Sequence, residues 1–183
     1  MRVAHVQSSQ RETLLNPDPT SAGAGPADEL EAIIAKATEA IRRDAKDSRA
    51  YFRRANAYSN QGNYERAKED LDRVIEADPE DKLAYNNRGV AFLCTGDPRS
   101  AIRDTTHAIQ LDADYRDAYL NRGLAHSEVG ELEQSIADLT RVIELDPTHW
   151  SAYRHRGIVY WQMGDTQASY RDHVRAKELG GGG

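Results

Sequence analysis

The chain has 183 residues, room for about one domain of ordinary size, and a net charge of −6 from 24 Lys plus Arg against 30 Asp plus Glu. That acidic balance argues against nucleic-acid binding, which needs clustered cations, and no apolar run approaches the ~18 residues that span a bilayer. The single cysteine, Cys94, excludes an intrachain disulfide and a Cys-based zinc site, so a soluble, cytoplasmic protein with a thin core is expected, and no cofactor.

In chain order, residues 1–27 lack the long apolar stretch of a secretory signal. Their Pro, Ser, Thr and Gly content predicts disorder, with a short helix or strand within 3–15 left open. A helix follows over about 28–44, in a 28–47 segment, with Ile33, Ala37, Ala40 and Ile41 along one face. From Ser48 the sequence repeats. Gly62, Gly96, Gly130 and Gly164 are 34 residues apart, as are Tyr51, Tyr85, Tyr119 and Tyr153, and Ala50, Ala84, Ala118 and Ala152. The units are 48–81, 82–115, 116–149 and 150–179. Each reads as two helices with a glycine between them. Asp97-Pro98 supplies an N-cap and a first-turn proline, and Pro79 and Pro147 stop the second helix of their units. The helix at 28–44 falls where the second helix of a preceding unit would lie. In the last unit Lys177 stands where the earlier copies have Ile75, Ile109 and Ile143, and His173 where they have Leu71, Thr105 and Leu139, which predicts a solvated cap. Gly180–Gly183 reads as a flexible tail.

These residues carry a resemblance to the tetratricopeptide repeat family, whose unit is 34 residues long. Tyr51, Ala55, Tyr58, Ala67, Val74 and Pro79 of the first copy match its pattern, and so do Tyr119, Gly123, His126, Ser135, Val142 and Pro147 of the third. The fourth copy supplies Tyr153, Gly157, Tyr160, Ser169 and Ala176; the second carries Ala113 where the family has Pro. The resemblance spans 48–179 and implies a right-handed α-solenoid of four full repeats behind an N-terminal half-repeat, nine helices in all.

Two charged ladders run in phase with the repeat. Arg54, Arg88, Arg122 and Arg156 occupy a position that is normally apolar; Asp70, Asp104, Asp138 and Asp172 recur on the second helices. A half-buried guanidinium needs a partner, and a carboxylate suits its planar fork. Internal Arg–Asp pairs are therefore expected, within a repeat or across a junction. The histidines do not combine into a metal motif: His126 takes an aromatic core slot, His107 an outer face, His173 the capping helix and His149 a junction. Cys94 has no evident assisting base, and no catalytic residues are expected.

The resemblance further implies a concave surface lined by the first helices. The candidate partner-binding residues are Phe52 and Asn56, then Asn86, Asn87 and Val90, then Leu120, Asn121 and Leu124, then Arg154, His155, Ile158 and Trp161. Asparagine amides suit a peptide backbone, and apolar residues suit its side chains. Some relatives hold the C-terminal carboxylate of a chaperone with a five-residue clamp. Here Asn56 and Asn87 fit, but Phe52, Asp117 and Asn121 stand where three cations belong, so that specialisation is not expected. The reading is an adaptor that binds a protein or peptide, with no nucleic acid and no membrane insertion. Self-association and a regulatory part of a larger enzyme remain as alternatives.

Overall fold

The computed structural model describes residues 26–180. The expected disorder of residues 1–25 and the end of the glycine tail lie outside them. Among the described residues there are nine helices and no strand. They fall into two compact units, divided between Pro79 and Glu80.

The first unit holds α1 (Pro26–Arg43), α2 (Ser48–Asn60) and α3 (Tyr64–Ala77). α1 begins two residues before the expected 28, so residues 26–27 are helical. Pro26 fits the first helical position because it has no N–H to leave unbonded, and Asp28 and Glu29 in the first turn complement the helix dipole. α1 packs on α2, and α2 on α3.

The second unit holds three helix pairs: α4 (Lys82–Cys94) with α5 (Pro98–Leu111), α6 (Arg116–Glu128) with α7 (Leu132–Leu145), and α8 (Trp150–Gln162) with α9 (Thr166–Glu178). Each helix packs on the next, and α6 also touches α4 and α8. The chain is thus an all-α helical repeat.

The local chemistry recurs with the sequence. Asp47, Asp81, Asp97 and Asp165 accept backbone N–H bonds at the starts of α2, α4, α5 and α9. His149 does the same for α8 through Nδ1, which receives the Ala152 N–H at 3.2 Å. Gly62, Gly96, Gly130 and Gly164 end the first helices with φ of 77°, 81°, 79° and 85°, a backbone region that costs a residue with a Cβ. Within the pairs, small residues allow close approach. A Cβ on Gly123 would stand 3.1 Å from Leu139 Cγ.

The core of the second unit is shallow and distributed. Leu120, Leu139, Val142, Ala152 and Val159 form one cluster, with Ile136 and Ile143 packed against it. Leu93, Ala101 and Ala125 form another, flanked by Phe92 and Ile102.

Candidate functional site

The Arg and Asp ladders pair within each repeat. Arg54 meets Asp70, Arg88 meets Asp104, Arg122 meets Asp138 and Arg156 meets Asp172. In every case Nε donates to Oδ2 and Nη2 to Oδ1, at 2.7–2.9 Å. The bond to aspartate raises Arg54, Arg122 and Arg156 above the ordinary guanidinium range, against the opposing effect of burial. Each guanidinium also lies over the tyrosine one turn earlier on its own helix: Tyr51, Tyr85, Tyr119 and Tyr153, at 5.5–5.7 Å. For Arg54, Arg122 and Arg156 the remaining nitrogen reaches back to the preceding helix. Nη1 of Arg54, Arg122 and Arg156 donates to Thr38, Thr106 and Thr140. Sequence reasoning missed these threonines, although their 34-residue multiples are visible in the chain. All the ladder carboxylates are buried, so the ladder links helices and offers no open anion site.

The other singled-out side chains also have structural roles. His126 Nδ1 lies 2.7 Å from Glu131 Oε2. His107 is half-buried against the Tyr85 ring, at 4.2 Å between centroids, rather than on an outer face. His173 Nδ1 donates to the Ser169 carbonyl at 2.8 Å and lies beneath Gly157. Among the described residues no group of His, Cys, Asp and Glu could hold a metal ion, and no helix is long and apolar enough to cross a membrane.

The candidate concave residues divide into two sets. Asn86, Val90, Leu120 and Asn121 were expected to face solvent, yet they are only 5–8% exposed. The reason is lateral packing, since α6 lies along α4 and α8 along α6. Asn121 Nδ2 donates to Asn86 Oδ1 at 2.9 Å, and Asn86 also bonds the hydroxyl of Tyr115, whose pKa burial pushes up to about 12. These two amides join neighbouring repeats.

The second set stays accessible. Asn87, Leu124, Arg154, His155 and Ile158 are half-buried, Leu83 is exposed and Trp161 is 68% exposed. All lie on α4, α6 and α8, so one face of the second unit alternates apolar groups with amide and cationic groups. Burial first, then the charges of Arg154 and His149, push His155 down to about 4, so its ring is neutral at ordinary pH. The Ser151 hydroxyl on α8 is buried without a hydrogen-bond partner among the described residues. In the first unit Phe52 and Asn56 occupy the corresponding positions on α2, both half-buried.

The family model "Tetratricopeptide repeat" matches residues 48–81, and a second, "TPR repeat", matches 128–164. Both stretches are therefore tetratricopeptide repeats. The chain superposes on solved structures of the same kind. MamA 41-end from Desulfovibrio magneticus RS-1 is 22% identical, with a TM-score of 0.78 over 82% of this chain and 85% of that one. YrrB, described as a TPR protein with an unusual peptide-binding site, is 22% identical, with a TM-score of 0.72 over 84% and 79%. The first TPR of Spaghetti (RPAP3), bound to the HSP90 peptide SRMEEVD, is 26% identical, with a TM-score of 0.63 over 66% and 96%. A search of curated proteins finds no match.

Proposed function

We infer that this tetratricopeptide repeat protein is a non-enzymatic adaptor that holds a segment of a partner protein along α4, α6 and α8. The observation that carries this reading is the stripe left accessible after the repeats have packed: Leu83, Asn87, Leu124, Ile158 and Trp161. A large aromatic side chain in water contributes little to an isolated array, whereas such residues dominate binding energies at interfaces. Peptide binding by the similar proteins YrrB and RPAP3 supports the same reading. A chaperone-carboxylate clamp is not part of it, since Phe52, Asp117 and Asn121 replace the cations that clamp uses.

The test is affinity capture with identification by mass spectrometry, using the native chain, Trp161→Ser and Leu83→Glu, with melting temperatures measured alongside. Both side chains are exposed, so the variants should melt like the native protein. Loss of the same captured partner in both supports the stripe. Undiminished capture places the binding surface elsewhere.

A further inference from the structure

The outer stripe of α9 differs from its counterparts. Tyr170, Val174 and Lys177 follow the i, i+4, i+7 spacing of one helix face. In the two repeats before, this register reads Ile102, Thr106, Ile109 and Ile136, Thr140, Ile143. Those residues are half-buried. Thr106 and Thr140 bond an arginine of the next repeat, and Ile136 and Ile143 pack against the cluster that contains Ala152 and Val159. On α9 Tyr170 is 72% exposed and Val174 38% exposed, and Lys177 is exposed. His173 and Lys177 are exposed, as expected of a solvated cap, and the apolar Tyr170 and Val174 are exposed beside them. The stripe also does not fit another repeat of the same design. Val174 has no oxygen to accept the guanidinium bond that Thr106 and Thr140 accept, and Lys177 sets a charge where isoleucine was buried.

We propose that this stripe is an isologous dimer contact, and that its occupant is α9 of a second copy, packed antiparallel. The stripe is self-complementary. Val174 stands near its middle, with Tyr170 four residues before and Lys177 three after. A two-fold axis through Val174 therefore brings each Lys177 ammonium to the Tyr170 ring of the other copy and sets the two valines together. A cation on a tyrosine face is the contact this chain already makes inside all four repeats. Lys177 makes no side-chain hydrogen bond or ion pair among the described residues, whereas its neighbour Arg175 is held by Glu178. Such an axis closes on itself and gives a dimer rather than a fibre.

Sedimentation velocity on the full chain from ~1 to ~100 μM tests this, a range that covers modest dimer affinities. A monomer–dimer equilibrium is expected. Tyr170→Glu and Val174→Glu should each weaken it by tenfold or more, with unchanged circular-dichroism melts, because both side chains are exposed. Trp161→Ser should leave the dimer intact, which separates this contact from the partner-binding face. Val174→Cys treated with a short bismaleimide should give a dimer linked through the two introduced thiols and not through Cys94, as identified by peptide mass spectrometry. A monomer throughout, a dimer that persists in both glutamate variants, loss of the dimer in Trp161→Ser, or a ladder of larger species would each overturn the proposal.

Discussion

Arg122 grips Asp138 with two parallel hydrogen bonds, Nε to Oδ2 at 2.8 Å and Nη2 to Oδ1 at 2.7 Å, and extends its third nitrogen 3.2 Å to Thr106. One side chain thus ties α6 to its own partner α7 and to the preceding α5. The aspartate side chain is only 7% exposed and the arginine 19%. Arg122→Met should therefore cost ~3–5 kcal/mol in urea unfolding, because it strands a buried carboxylate. Arg122→Met with Asp138→Leu should recover part of that loss. If the double variant is no more stable than the single, the stranded charge is not the cause.

The Asn121–Asn86 bond distinguishes a structural amide from a binding amide. Asn121→Ala leaves Asn86 Oδ1 buried without this donor and should cost about 1–3 kcal/mol, whereas Asn87→Ala should change stability by less than about 1 kcal/mol. Equal losses in thermal unfolding would contradict this division of the two asparagines.

Glycines at two places should fail for different reasons. Gly123→Ala forces Leu139 and Asp138 aside, at 3.1 and 3.3 Å from the new Cβ, and should cost about 1–3 kcal/mol through overpacking. Gly130→Ala meets nothing within 4 Å but sits at φ +79°, and should cost about 1–2 kcal/mol through backbone strain. Gly130→Asn should restore much of the second loss because asparagine tolerates the left-handed region, whereas Gly123→Asn should be worse than alanine.

Ser151→Ala removes the hydroxyl that is buried without a partner, and alanine is the better helix former. The variant should be as stable as the native chain or up to about 1 kcal/mol more stable. A clear loss in its melt would reveal a bond that serine makes in solution.

Acid sensitivity should begin well above the carboxylate range. His155 is pushed from 6.5 to about 4 in the folded chain, and His149 is lowered too, mainly by burial. Between those values the unfolded chain binds the extra proton, so unfolding is favoured as pH falls. Stability from His155 is complete above pH 6.5 and is lost as pH drops toward 4, at no more than about 1.4 kcal/mol per pH unit per histidine. Asp112 and Asp146 are lowered by their hydrogen bonds to Lys82 and Thr148, respectively. Their contribution disappears only below about 4, the ordinary aspartate range. His155→Gln should flatten urea midpoints between pH 6.5 and 4 and leave the steeper fall at lower pH. An unchanged slope in that variant would mean that another group carries the acid response.

The helices, their turns and their pairing were legible because each depends on local chemistry that recurs every 34 residues. A glycine that ends a helix, an aspartate that caps one and an alanine that admits a neighbour act on residues nearby in the chain. The Arg and Asp ladders were visible for the same reason, since both run in phase with the repeat. What the sequence left open was which carboxylate each arginine would find, because both candidates obeyed the same spacing. The fold chose the partner sixteen residues along, where the two helices of one pair face each other. Exposure was also a tertiary decision. Asn86 and Asn121 carry residue types that suit a groove, yet lateral contact between repeats buries them. Among the described residues no helix lies beyond α9, and Tyr170 and Trp161 are exposed, whereas Leu93, the counterpart of Trp161 in an inner repeat, is buried with Ala125 of α6. Periodicity makes the copies alike, and burial depends on what lies beside each copy.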